Sequence, residues 1–286
     1  MKKGPLTPKG FRDINPPIAK KRREIINKIA DTLENLGFNP LETPTIEFSE
    51  TLEGKYGDEE KLIYKFTDRG DRKLALRYDL TVPLARYVAN NNPQFPFRRY
   101  QIGQVFRGEN PQKGRFREFT QFDFDTVGVV DINEDAKIIA AAIKSIKELG
   151  FKNAKMAIND RENFKSLKVE DIREIDKIYK IGKENTRKEL LEFVEKSKPT
   201  NRLTQIFEIL KSEYGLSYQD FFFDPTLARG LDYYTSTILE LKPDGKPEEQ
   251  SIGGGGRYDK LIGMFAGREI PAVGFSFGID RLTELV

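Results

Sequence analysis

The chain has 286 residues, 38% of them hydrophobic, enough to supply a substantial core and to argue against disorder. Its 48 Lys and Arg against 45 Asp and Glu leave a net charge of +3, too little to hold nucleic acid by bulk charge, although local patches remain open. Cysteine and histidine are both absent, which excludes disulfides, thiolate nucleophiles, sulfur-ligated zinc and the commonest general base.

Ile18, Ile25, Ile26, Ile29, Ala30, Leu33 and Leu36 recur at three- and four-residue spacing before Gly37, which predicts an amphipathic helix of about five turns. FNPLETPTIEF follows, with Pro40 and Pro44 suiting an edge strand or an extended arm. KLIYKFTDRGDRKLALRYDL predicts a hairpin turning at Asp68 to Asp71. RRYQIGQVFRGE and FREFTQFDFDTVGV predict a second hairpin around the loop NPQKG. In its second strand Phe116, Glu118, Thr120, Phe122 and Phe124 share one face. Arg117, Phe119, Gln121, Asp123 and Asp125 share the other, a combination unsuited to a core.

A helix over 135–149 ended by Gly150 and a strand in FKNAKMAIND come next. Residues 160–222 are charged, helical in period and poor in strand formers, which reads as a small helical insertion between a first core part, 1–159, and a second, 223–286. The second part holds LARGLDYYTSTI, a strand to Leu241, a polar turn, SIGGGGRYD, a short helix, and AVGFSFGIDRLTELV as a strand running into a helix. Strands, a helical insert and further strands argue for an α+β domain around an antiparallel sheet. No stretch approaches the ~18 apolar residues of a membrane span, and MKKGPLTPKGF lacks the apolar region of a secretory signal, so a soluble, cytoplasmic chain without a membrane partner is expected.

Arginines gather around the second hairpin at Arg107, Arg115 and Arg117, and others stand beside glycines at Arg229, Arg257 and Arg281. The planar guanidinium binds phosphate oxygens in pairs, so the set points to a phosphorylated ligand. Singly, each reads as a solvated surface charge. Gly253 to Gly256 permit close backbone approach, although such a run alone is more often a loop or bulge, and neither a dinucleotide-binding nor a P-loop pattern is present. Asp79, Gln121 and Asp125 could hold an ammonium group, and an acid with a tyrosine hydroxyl could orient a polar ring.

These segments resemble the catalytic domain of the histidyl-tRNA synthetases, a family of class II aminoacyl-tRNA synthetases, and the likeness runs nearly end to end. PKGFRD is similar to the family's opening signature, and Pro44 stands where the motif 1 proline lies at the dimer interface. FRGENPQKGRFREFTQFDFD resembles motif 2, AVGFSFGIDRL motif 3, and LARGLDYYT with SIGGGGRYD the two histidine signatures. The resemblance implies a six- or seven-stranded antiparallel sheet flanked by helices, a homodimer, and the reaction of histidine with ATP and Mg²⁺ followed by transfer to tRNA(His). It implies Arg107 on the α-phosphate and carboxylate, Glu109 at the adenine end, Phe119 stacked on adenine, and Arg115 and Arg281 on the outer phosphates. Arg229 would be the catalytic arginine at the α-phosphorus. Asp79, Thr81 and Gln121 would hold the α-amino group, and Asp125 with Tyr234 the imidazole, with Tyr233 also lining that pocket. The motif 2 loop would approach the tRNA acceptor stem, and no metal ligands are identified.

The sequence stops at Val286, where the family ordinarily continues into an anticodon-binding domain of roughly a hundred residues. Retained adenylation with weakened tRNA charging is the expectation. A non-catalytic relative such as the regulatory subunit of ATP phosphoribosyltransferase is the alternative, and the arginine set argues against it. An enzyme adenylating another amino acid is a third reading.

Overall fold

The computed structural model describes residues 5–111, 114–228 and 234–286. Helix α1 (Pro16–Asn35) begins where Asn15 accepts a hydrogen bond from the Ile18 amide and two prolines fill the first turn, where their missing donors cost nothing. Ile25, Ile29 and Leu33 form its buried stripe, and Gly37 turns the chain out at φ 85°. The proline-bearing arm then supplies two short strands, β1 (Asn39–Pro40) and β2 (Ile46–Phe48). After helix α2 (Ser49–Leu52) come β3 (Lys65–Thr67) and β4 (Lys73–Leu76), the first predicted hairpin. Helix α3 (Thr81–Asn91) leads into the long hairpin β5 (Phe97–Phe106) and β6 (Glu118–Val127).

Helix α4 (Ile132–Glu148), capped by Asp131, crosses to β7 (Lys155–Asp160). Residues 160–222 then hold α5 (Val169–Ile175), α6 (Ile178–Ile181), α7 (Lys188–Lys196) and α8 (Asn201–Ser212), followed by β8 (Phe221–Phe223). The chain finishes through β9 (Thr237–Lys242), β10 (Gly253–Arg257), α9 (Gly263–Ala266), β11 (Ala272–Gly278) and α10 (Ile279–Leu285).

Among the described residues one sheet has eight strands in the order β1-β5-β6-β11-β10-β9-β7-β8, and β2-β4-β3 form a smaller one. The six inner strands of the large sheet pair antiparallel, as expected. The two edge strands pair parallel, which the sequence reading did not anticipate. They are two and three residues long, so almost no hydrophobic pattern announces them. Within 160–222, α8 buries Leu203, Ile206, Phe207 and Leu210 in the main core, whereas α5 and α7 pack with Ala157 and Ile238 in a cluster of their own.

The two faces of the large sheet differ in kind. One carries Tyr100, Phe122, Phe124, Met156, Leu239, Phe275 and Phe277 into a core closed by α1, α4, α8 and α10. Because side chains alternate along a strand, the other face receives Arg99, Gln101, Gln121, Asp123, Asp125, Ser276 and Glu240, with bare glycines at 103, 254 and 274. The lower face is given to the main core, and the upper face carries apolar clusters only at its flanks, around Ala157 and Ile238 and around Val127 and Ala272. The polar middle of the upper face is available to a ligand.

Candidate active site

On that upper face lies a cavity of about 500 Å³. Its floor is laid in cross-strand rows. Gly103, Gln121 and Gly278 form one, and Gln101, Asp123, Ser276, Gly254 and Glu240 the next. Arg99, Asp125, Gly274 and Gly256 form the third. The glycine run, more often a loop or bulge, is here a central strand of the sheet. Its glycines have opposite tasks. A Cβ at Gly255 would overlap the Gly274 carbonyl oxygen, whereas one at Gly254 would meet nothing closer than the Leu239 carbonyl at 3.3 Å. At Gly274 a Cβ would overlap Asp125 Oδ1, so only glycine leaves that carboxylate its place.

The wall beyond β4 is built by Asp79, whose Oδ1 accepts from the Thr81 and Val82 amides at 3.1 and 3.0 Å and from the Tyr56 hydroxyl at 3.0 Å. This caps the start of α3 and fixes the carboxylate beside Thr81. Burial pushes the Asp79 carboxyl upward, opposed by hydrogen bonding and by Arg107. Arg107, just past β5, donates from Nε to the Tyr78 carbonyl at 3.2 Å. Its guanidinium lies 4.3 Å from the Tyr78 ring centroid and 5.1 Å from that of Phe119. The cation is held between two aromatic faces, which limits its motion without neutralising it. Tyr78 in turn donates to Glu59 at 2.6 Å.

Gln121 donates from Nε2 to Ser276 at 3.0 Å, while its buried Oε1 has no hydrogen-bond partner. Asp125 is 3% exposed, accepts from the Tyr258 hydroxyl and pairs with the fully buried Arg99 at 2.7 Å. Burial raises its carboxyl and Arg99 opposes the rise. Arg281 reaches the cavity from the first turn of α10. That turn is anchored by the neighbouring Asp280, which accepts from the Thr120 amide at 2.7 Å and from Arg22 and Arg12.

The structure therefore brings together Asp79, Thr81, Arg107, Phe119, Gln121, Asp125, Tyr234 and Arg281 around one cavity. Glu109 and Arg115 do not line it. They approach each other at 3.7 Å on the hairpin tip, where the Arg115 side chain is 59% exposed. Arg229 and Tyr233 lie outside the described residues. Arg257, grouped by sequence with the phosphate-binding candidates, has a different role. It is 2% exposed and engages Asp135, Asp259 and the Val129 carbonyl, so its charge is committed to the core. Arg117 likewise clips the Glu109 and Lys9 carbonyls together. Tyr56, Tyr78, Asp123, Ser276 and Glu240 line the cavity without having been assigned to it. The alternation from Phe116 had already placed Asp123 on the right face, and nothing local marked the others.

Comparison with known proteins agrees with this geometry. The sequence pattern of the histidyl-tRNA synthetase family matches residues 10–217 and 160–282. The histidine–tRNA ligase of Aeropyrum pernix is 42% identical over 98% of this chain and 74% of its own length. The crystal structure of histidyl-tRNA synthetase from Nostoc sp. superposes with a TM-score of 0.85 at 29% identity, covering 99% of this chain and 75% of that one. A Bacillus halodurans structure described as an ATP phosphoribosyltransferase regulatory subunit/histidyl-tRNA synthetase gives 0.82 at 25% identity, covering 98% of this chain and 82% of that one. The chain belongs to the histidyl-tRNA synthetase family of aminoacyl-tRNA synthetases.

Proposed function

We propose that the chain activates histidine with ATP to form histidyl-adenylate and pyrophosphate, and then transfers histidine to tRNA(His). The observation that carries this reading is the convergence on one cavity of cations suited to phosphate, Arg107 and Arg281, with polar groups suited to an amino acid, Asp79, Thr81, Gln121, Asp125 and Tyr234. In the first step the histidine carboxylate oxygen attacks the α-phosphorus and the bond to pyrophosphate breaks. The nucleophile is already an anion, so the step needs alignment and charge stabilisation rather than a base, and a chain without histidine can supply both.

Arg107, clamped between aromatic rings, would bridge the attacking carboxylate and the α-phosphate, and Arg229 would stabilise the charge that develops there. Arg281 would hold the outer phosphates, joined by Arg115 as the hairpin tip folds over ATP, with Glu109 at the adenine end. Phe119 would stack on adenine. Asp79, Thr81 and the open Oε1 of Gln121 would receive the α-ammonium group, and Asp125 with Tyr234 and Tyr233 the imidazole. Mg²⁺ would enter with ATP, because it keeps several waters and needs only one or two protein oxygens beside the phosphates. Among the described residues no helix is long and apolar enough to cross a membrane, and a cytoplasmic location suits the proposed substrates.

Histidine-dependent ATP–pyrophosphate exchange tests the reading. Exchange is expected with histidine and not with other amino acids, and Arg229→Ala should abolish it. Histidine binding without exchange by the intact chain would instead identify a sensor of the regulatory-subunit kind.

A further inference from the structure

The central row of the cavity floor contains a carboxylate that these roles leave unused. Asp123 stands between Gln101 on β5 and Ser276 on β11, with Gly254 next in the row. It is 4% exposed, lines the cavity, and its Oδ1 has no hydrogen-bond partner. The charged groups around it are committed elsewhere. Arg99 pairs with Asp125 at 2.7 Å and reaches only the backbone carbonyl of Asp123 at 3.4 Å. Arg77 donates to the Gln104 and Thr43 carbonyls at 2.7 and 2.9 Å. The remaining neighbours, Asp79 and Asp125, are themselves acids. A buried carboxylate oxygen without a donor is costly, and a cationic donor arriving with a ligand removes that cost.

We propose that Asp123 is a direct binding residue for the substrate's α-ammonium group, a second carboxylate beside Asp79 with which the pocket selects a zwitterionic amino acid. The inference rests on the histidine-activating reading and adds to it a residue that reading does not use. The α-ammonium end is favoured over the imidazole because Ser276 hydrogen-bonds both Asp123 and Gln121, tying the two into one unit. Asp125, at the imidazole end, is already engaged by Tyr258 and Arg99. Burial pushes the Asp123 carboxyl up to about 7, with Arg99 opposing and Asp125 reinforcing the rise, so the empty pocket is partly protonated near neutrality. An incoming ammonium group would hold the carboxyl ionised.

The test compares histidine with imidazolepropionate, which lacks the α-amino group, by calorimetry on the full chain and its Asp123→Asn variant. Histidine affinity should fall at least roughly tenfold in the variant, the scale of one charge-assisted hydrogen bond. Imidazolepropionate affinity should be unchanged, and in the exchange assay KM should rise for histidine and not for ATP. Equal losses for both ligands, or unaltered histidine affinity, would overturn the assignment. If the unmodified chain neither binds histidine nor exchanges pyrophosphate, the underlying reading fails and this inference with it. Should circular dichroism show the Asn variant unfolded, Asp123→Ser carries the same comparison.

Discussion

Two buried charges on the large sheet show how far the residue scale separates function from support. Arg257 and Asp135 form an ion pair within the core, the latter also reached by Arg202 and by the Thr237 hydroxyl. Removing Arg257 takes from the buried Asp135 its main partner and leaves it Arg202 and Thr237, so Arg257→Ala should lower the unfolding free energy by about 3 kcal/mol, the low end for a broken buried pair, in a denaturant titration. Exchange activity per folded molecule should stay close to that of the parent chain, because Arg257 does not line the cavity. Asp123 presents the opposite case, buried without full compensation. An unfolded Asp titrates near ~3.9, whereas burial holds the native group at about 7. Between those values the native state binds the extra proton, so the contribution of this group to stability is present below the unfolded value and is lost as pH rises toward the native one. The thermal midpoint of the ligand-free chain, relative to Asp123→Asn, should therefore decline across that window and level off above it. A flat difference would show that Asp123 is ionised throughout.

At the scale of elements, β10 makes a strand from four glycines and an arginine, and its two faces demand glycine for different reasons. Gly255 faces backbone, where a methyl group would overlap the Gly274 carbonyl. Gly255→Ala should destabilise the fold by about 1–3 kcal/mol, the range of overpacking in a core. Gly254 lies in the cavity floor, where a methyl group would press only on the Leu239 carbonyl at 3.3 Å but would occupy ligand space. Gly254→Ala should melt within a few degrees of the parent chain and bind substrate several-fold more weakly. The same loss of melting temperature in both variants would contradict the alternation. This strand also marks where sequence stops being legible. β5 and β6 were readable because their alternation is written in side chains, and α1 because its apolar stripe has a 3.6-residue period. β10 has almost no side chains to carry a period, so only its neighbours β9 and β11 define it as a strand. Tyr56, Tyr78 and Glu59 escaped for a related reason. Their place in the wall depends on the packing of the segment between α2 and α3 against the large sheet, which no local pattern encodes.

On the scale of the whole molecule, the small sheet presents an apolar face that is largely exposed among the described residues. Phe48 and Phe66 both pair with Leu74, forming one row across β2, β4 and β3, and Ile46 pairs with Leu76 in the next. Ile46, Phe48 and Phe66 are 44%, 50% and 40% exposed, although large apolar side chains clustered on one face usually mark an interface. The buried Glu47 between them pairs with Arg86 on α3, so the opposite face of β2 is tied to the wall that holds Asp79 and Thr81. The homodimer implied by the family resemblance would cover the exposed row and brace this wall from outside, linking subunit association to the amino-acid pocket. Phe48→Glu places a charge at the β2 end of the row, at its most exposed side chain, and should shift the chain to a monomer in analytical ultracentrifugation. It should also raise the KM for histidine more than that for ATP, since the affected wall carries the proposed amino-acid contacts Asp79 and Thr81, whereas Arg281 stands on α10. A variant that remains dimeric would place the interface elsewhere, and a monomer with unaltered histidine KM would separate assembly from the pocket.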